Sequence, residues 1–563
     1  MKEGFRQCMA WLHTWTGLVV GWILFFVFLT GTAGYIQLEL TRWMQPELPL
    51  RTQVIPSQQE QFNQANQFLS HSPDALEAVR WRVDFLSKDR GSEQLQVSWS
   101  MPTPEGKRFG PTETRYLDPV TGQATAQVEP RDTAGGRTLY RMHYALHYIP
   151  YDIAIRIVGV CTMLMFAAII TGVITHKKIF KDFFTFRPAK GQRSWLDVHN
   201  VLSVIALPFY IMITYSGLIF FLNAYMPYTV PIVYGQSEED QDRYFNELYK
   251  ESFSRGGSAR GEQHNMQYSM RYAVDVAPLL AQAQQQWGTS GVSSLNIYAA
   301  QGENPARVEF YKNESDSVQR KRTAMHFDLS TGKKISDNTI NTDPGALVFG
   351  RSLLGLHEGS FASPVVRWLY VLSGLLGTAM IATGLVLWTV KRRPKQIKAG
   401  KMSFGHNLVE HLNIAMIAGL PLAIAVYFWA NRLISATWAD RAAWEVHSLY
   451  MTLALCLIYA YCRPIARAWF ELLCLAAAAY LLLPVLNAFT TERHLLATVL
   501  HGDYALASVD FGFILFGSLL AWAAYAVWRK RNAILKAPVK KKAKTASNVK
   551  TDEPQSKQQG ESS

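Results

Sequence analysis

Long apolar runs alternate along the chain with long polar stretches. Eight runs of apolar residues stand near 11–36, 155–175, 197–222, 366–390, 408–430, 445–462, 467–489 and 507–528. About 20 residues in a helix span roughly 30 Å of hydrocarbon, so each run is long enough to cross a bilayer. The pattern predicts a membrane all-α bundle of about eight transmembrane helices. Two polar stretches are long enough to fold outside it. Each shows a helix-like stretch first (Phe62, Ala65 and Phe68; then Leu279–Gln286) and strand-like alternation after it (Leu95–Trp99, Thr112–Leu117; then Ser294–Tyr298, Ala306–Tyr311). Both are expected to be small α+β domains.

The expected division is helix 1 in 1–36, an external domain 37–150, helix 2 in 151–176 and a basic loop 177–194. Helix 3 follows in 195–222, a second external domain in 223–356, helix 4 in 357–390 and a loop 391–405. A four-helix membrane extension takes 406–530, and a Lys-, Ser- and Gln-rich tail, expected to be disordered, takes 531–563.

The first half of the chain is written again in the second. His13 near the start of helix 1 is followed eighteen residues later by Gly31 in Leu29-Thr30-Gly31, and His199 in helix 3 by Gly217 in Tyr215-Ser216-Gly217 at the same distance. Asp118, Thr121 and Gly122 recur as Asp328, Thr331 and Gly332, each pair at a shift of 210 residues. From each of these glycines twenty-five residues lead to a histidine, His147 or His357, and then to a membrane helix ending in Thr171-Gly172 or Thr383-Gly384. Two halves of one orientation imply a parallel internal repeat about an axis along the membrane normal.

Charge sets the expected orientation. Lys177, Lys178, Lys181, Arg187, Lys190 and Arg193 crowd the loop after helix 2, and Lys391, Arg392, Arg393, Lys395, Lys398 and Lys401 the loop after helix 4. The short loops opposite carry only Arg432, Arg441 and Arg493. By the positive-inside rule both termini lie in the cytoplasm of a multi-pass inner-membrane protein, with the two domains in the periplasm. The first run is too long for a cleaved signal and lacks an A-x-A site, so it reads as a signal-anchor. The net charge of +13 belongs to these flanks and the tail. Contact with anionic lipid explains it without nucleic acid. The five cysteines lie in or beside membrane helices, and no CxxC or CxxCH is present, which excludes covalent haem attachment and thiolate clusters.

Histidines carry the candidate chemistry. Taken singly, each fits an interfacial residue whose ring is satisfied by a neighbour. The repeat changes this, because its two-fold places His13 opposite His199 near the inner face and His147 opposite His357 near the outer face. Two opposed imidazoles on different helices supply both axial ligands of a haem. The expected cofactors are therefore two haems b, each bis-histidine, at different depths. His143 lies four residues before His147 and is a secondary candidate, or chelates a divalent metal with it. By the 210-residue shift its counterpart is Leu353, which favours His147. His176, four residues past Gly172, is a possible third ligand. His71, His264 and His326 read as surface or structural residues.

The segments HTWTGLVVGWILFFVFLTG, the paired DPVTG and DLSTG turns, the Leu-His before helices 2 and 4, and HKKIFKDFFTFRP, QRSWLDVHN and LPFYIMITYSG resemble the PepSY-associated transmembrane family of bacterial inner-membrane proteins. The resemblance covers roughly 1–395. It implies PepSY-like external domains and a b-type dihaem reductase that reduces ferric siderophores in iron acquisition, with His13, His199, His147 and His357 as axial ligands. Longer members have a histidine where this chain has Tyr210, so a third site near His176 is not implied here.

The extension holds His406, Glu410 and His411 near the start of helix 5, and Glu445 and His447 near the start of helix 6. They suit a structural role, a further haem with His411 and His447 as secondary ligand candidates, or a site for a quinol, whose oxidation needs a group to take its protons. The expected function is an oxidoreductase that receives electrons from a quinol or cytoplasmic donor and passes them outward to a ferric siderophore or other ferric chelate. The rivals are a transporter of iron complexes, which predicts broken helices at mid-membrane, and a regulatory scaffold without redox activity.

Overall fold

The computed structural model describes residues 3–535 except 51–54, 88–93, 105–109, 126–128, 177–182, 184–186, 188–190, 249–269, 271–273, 289–290, 301–304, 314–316 and 340–342. All four lysines of the loop after helix 2, His264 and the tail from 536 onward lie outside the described residues.

The expected membrane helices are present. In the first half they are α1 (Glu3–Gly34), followed by the short α2 (Gln37–Trp43), and later α5 (Tyr151–Thr175). Between them lie α3 (Gln58–Ser70) and α4 (Gly135–Ala145). The third apolar run forms two helices, α6 (Gln192–Ile205) and α7 (Leu207–Phe220), bent by 67°. Pro208 causes the break: it has no N–H to donate, and its ring crowds the preceding turn. Beside the break the Leu202 carbonyl accepts a hydrogen bond of 3.0 Å from the Tyr210 hydroxyl. Tyr210 is fully buried at this bend.

In the second half come α8 (Val276–Trp287), α9 (Gly345–Glu358) and the long α10 (Pro364–Lys398). The segment 357–390, expected as one helix, is split: His357 belongs to α9, and α10 begins after Gly359 takes a left-handed turn (φ 59°). The extension comprises α11 (Phe404–Ile414), a π-helical turn Ala415–Gly419, α12 (Leu420–Leu433), α13 (Arg441–Cys462), α14 (Ile465–Thr490) and α15 (Tyr504–Leu535). Helix α1 packs against α4, α5 and α10, α6 against α10, and α7 against α5 and α9.

The two external segments do not fold as separate domains. Their strands form one antiparallel sheet of seven, in the order β3-β2-β1-β4-β5-β6-β7. The strands are β1 (Arg80–Asp84), β2 (Leu95–Ser100), β3 (Thr112–Leu117), β4 (Val292–Tyr298), β5 (Arg307–Lys312), β6 (Ala324–Asp328) and β7 (Lys334–Asp337). The seam is β1 on β4, with Trp81 opposite Ile297 and Val83 opposite Leu295. All four side chains are buried in a single core shared by α3 and α8. Uniting the segments covers one exposed edge of each half-sheet, which explains why neither stands alone. The two Asp–Gly turns are alike: Asp118 Oδ1 accepts from the Val120 and Thr121 amides at 3.0 and 2.7 Å, and Asp328 Oδ1 from those of Ser330 and Thr331 at 2.6 and 3.2 Å. Gly122 and Gly332 supply the positive φ, 69° and 72°.

The extension is tied to the sheet end of the bundle by buried polar groups. Arg42 on α2 grips Asp503 with two bonds of 2.8 and 2.5 Å, and Trp43 Nε1 donates to Asp510 at 2.9 Å. Glu445 on α13 accepts from the Thr133 hydroxyl and the Ala134 amide at 2.7 and 2.9 Å, and holds Arg441 at 3.0 Å. Ala134 is the residue from which α4 starts. The extension thus fixes the helix that carries His143.

Candidate functional site

Two pairs of imidazoles face one another between the halves. His13 on α1 and His199 on α6 have ring centroids 6.3 Å apart. At the sheet end His357 on α9 meets His143 on α4, with centroids 6.1 Å apart. Two imidazoles bound to one metal at about 2.0–2.1 Å each, ring centres lying a little over 1 Å behind the nitrogens, hold their centroids roughly 6.4 Å apart. Both pairs have that separation.

The partner of His357 is therefore His143, not His147. Helix α4 ends at Ala145, and Leu146 turns left-handed (φ 46°), so His147 lies past the helix end and is carried away from the cleft. Its ring stacks on Tyr450 at 5.9 Å and meets Tyr148 edge-on at 4.4 Å. Tyr148 in turn hydrogen-bonds His447. The 25-residue spacing misled because α4 and α9 begin thirteen residues after their turn glycines, yet α9 carries its histidine one helical turn later. A one-turn insertion keeps the same face, so His143 at four residues less is the spatial counterpart. The two rings have separate surroundings, His143 Nδ1 on Val27 O at 2.7 Å and His147 stacked on Tyr450.

Each of the four facing imidazoles is seated in the same way. His13 packs on Gly172, His199 on Gly384 and His357 on Gly217, where an added β-carbon would come within 3.1, 3.1 and 3.0 Å of Cε1. A β-carbon on Gly31 would overlap His143 Nδ1 outright. The ring nitrogen Nδ1 then meets the carbonyl one turn before the glycine: Ala168 for His13 at 2.8 Å, Val27 for His143 at 2.7 Å and Met380 for His199 at 3.1 Å. His357 Nδ1 reaches Ser216 Oγ at 2.9 Å; that hydroxyl donates its own proton to Met212 O at 2.6 Å and so accepts from the ring. A carbonyl only accepts, so Nδ1 carries the proton and Nε2 keeps the lone pair. This is the tautomer a ligating histidine needs, with the orienting bond that fixes its ring.

The glycines eighteen residues past His13 and His199 thus do not serve those histidines. They seat His143 and His357 at the other end of the bundle. Eighteen residues of helix are about 27 Å, close to the hydrocarbon thickness of roughly 30 Å, so the two pairs lie near opposite faces.

The pair at the sheet end opens into a cavity of about 960 Å³, lined by α1, α4, α7 and by Gln94, Gln96 and Tyr116 of the sheet. Arg42, Arg137 and Arg320 also border it. The volume is ample for a flat macrocycle, and the guanidinium groups suit its carboxylates. The residues present fit a bis-histidine haem at the sheet-end pair, and the His13–His199 pair shares its ring separation and glycine seats.

The remaining candidates lie elsewhere. His176 caps the end of α5 near His13 and His199. His411 stacks on Tyr461, centroids 4.2 Å apart, with Nδ1 on Asn407 O. His447 packs edge-on against Trp444 at 5.4 Å. His71 is exposed and bonded to its own helix, and His326 lies on β6.

The sequence profile of one family, described as PepSY-associated TM region, matches residues 10–391. Among curated proteins none matches the chain. The match includes all four facing histidines and their glycines, and ends before the four-helix extension.

Proposed function

Because the chain belongs to the PepSY-associated transmembrane family, we propose that its two facing histidine pairs each bind a haem b and carry electrons across the inner membrane to a ferric siderophore or similar chelate. Two paired rings per site, each with Nδ1 held and Nε2 carrying the lone pair, support this reading most directly. When bound, haem would supply one-electron redox chemistry. The chain's own part is geometric. His13 and His199 hold the site at the N-terminal end, and His143 and His357 the site at the sheet end. Gly31, Gly172, Gly217 and Gly384 let the rings approach the helices closely. Arg137 and Arg320 offer charge at the cavity that opens under the sheet. On this reading the parallel repeat sets the two pairs, both termini are cytoplasmic, and the sheet is a periplasmic PepSY-like unit at which the substrate docks. Reduction to ferrous iron weakens hard oxygen ligation and releases the metal.

The broken third helix is the feature a transporter reading calls for. The Tyr210 hydroxyl bonds the Leu202 carbonyl beside the break, so that carbonyl is not left for an ion or substrate, which weakens that reading. The test is a reduced-minus-oxidised spectrum of the full chain purified in detergent, followed by addition of a ferric hydroxamate chelate. A b-type α-band that a ferric chelate reoxidises, with ferrous iron appearing, is the expected result. A colourless protein from haem-replete cells contradicts it.

A further inference from the structure

The extension brings a buried polar pair, His406 and Glu410, to the end of the bundle that holds His13 and His199. His406, in the first turn of α11, is 2 % exposed, and neither ring nitrogen has a hydrogen-bond partner. Its Nε2 stands 3.3 Å from Glu410 Oε1, and Arg393 reaches the same oxygen at 3.1 Å. An imidazole buried without partners loses its hydrogen bonds to water and gains none, so such a ring marks a place where a ligand completes it.

The surroundings say which kind of ligand. His406 stacks on Trp388, centroids 6.0 Å apart, and Trp388 meets Trp15 edge-on at 6.5 Å. Trp388 stands one helical turn beyond Gly384, on which His199 rests. Its indole Nε1 is also buried without a partner. Around this cluster large apolar side chains face outward, Phe404 at 83 % exposure and Trp11 at 64 %. The cluster thus opens toward lipid. Asn413 anchors α11 here, accepting from Trp22 Nε1 at 2.9 Å and donating to Leu385 O at 3.2 Å. The π-helical turn that follows is a feature often found at functional sites.

We propose that His406 and Glu410 bind the head group of a membrane quinol, which is the electron donor to the His13–His199 site. This rests on the redox reading above. Oxidation of one quinol to quinone breaks two O–H bonds and releases two electrons and two protons. The two electrons would be taken one at a time by the haem that His13 and His199 would hold, and two ferric ions, each reduced to ferrous, would be their final acceptors. One proton goes to a ring nitrogen of His406 and the other to the Glu410 carboxylate, and both leave to the aqueous phase at that end. Arg393 positions the carboxylate.

The test has two arms on the full chain in detergent. Photolabelling with an azido-ubiquinone should be saturable, fall on peptides spanning 388–413, and drop at least tenfold in Glu410→Gln. Stopped-flow reduction by decylubiquinol should slow at least tenfold in Glu410→Gln and His406→Gln, with the dithionite-reduced spectrum and haem content unchanged. Labelling elsewhere, or variants reduced by quinol at the wild-type rate, overturns the site and points to a water-soluble donor. Absence of any haem band sinks the redox reading instead, and the labelling arm then still decides whether quinone binds here.

Discussion

The imidazole of His143 lies against the bare α-carbon of Gly31, on the helix that carries His13 at its other end. One helix therefore contributes a ligand candidate to one site and a seat to the other. His357 likewise rests on Gly217 of α7, the second half of the broken span whose first half, α6, carries His199. This coupling makes the four glycines sensitive positions.

Gly31→Ala is expected to be the most damaging of the four, since its β-carbon overlaps the ring nitrogen itself. It should remove the haem at the sheet end and leave the other. Gly172→Ala and Gly384→Ala, with approaches of 3.1 Å, should retain haem with altered ligand geometry. Pyridine haemochrome content and low-temperature electron paramagnetic resonance of the ferric state check the order.

Ser216→Ala removes one of the two acceptors that orient His357, leaving the Ile213 carbonyl. Loss of such an outer partner costs about 10–100-fold in metal affinity or activity. Thr30→Ala is the control, because its hydroxyl bonds only its own helix, at Phe26 O and Val27 O. Haem retention on dilution into apomyoglobin should separate the two variants.

Asp503→Asn breaks the buried pair with Arg42, whose side chains are 4 % and 0 % exposed. Removing one partner of a buried ion pair costs about 3–5 kcal/mol, and the extension should loosen from α2. Glu471→Gln, which breaks the exposed pair with Arg463, should leave the thermal midpoint in detergent unchanged.

In the sheet, partial burial raises the pKa of Asp337, but bonds from Lys334, Thr339 and Gln286 outweigh it and hold the carboxyl well below the usual range. A depressed folded value stabilises above the unfolded pKa of about 3.9 and is lost as pH falls toward the folded one. The thermal midpoint of the wild type should exceed that of Asp337→Asn at pH 7, and the gap should close below about pH 4. A gap independent of pH contradicts the assignment.

The membrane helices were legible because hydrophobic length is a coarse and robust signal, and the Asp–Gly turns because positive φ demands glycine. The seam of the sheet was not. In β1, Arg80-Trp81-Arg82-Val83-Asp84, charge on one face hides a buried face of Trp81 and Val83. Pairing between strands some 210 residues apart leaves no local mark. His13, His199 and His357 were readable from the repeat, whereas His143 was not, because α9 holds one more turn than α4 before its histidine. The periodicity of a helix, rather than a fixed offset, carries the equivalence. The Thr-Gly and Ser-Gly steps were visible as a repeat, but only the packing of helices shows that each glycine seats a histidine from another segment.

The most direct measurement is haem content per chain in His143→Ala and His147→Ala beside the wild type. The expected result is about two haems in the wild type and in His147→Ala, and one in His143→Ala, with the remaining haem still reducible by dithionite. Loss of a haem in His147→Ala with full content in His143→Ala would contradict the pairing of His143 with His357 and return the site to the spacing read from sequence.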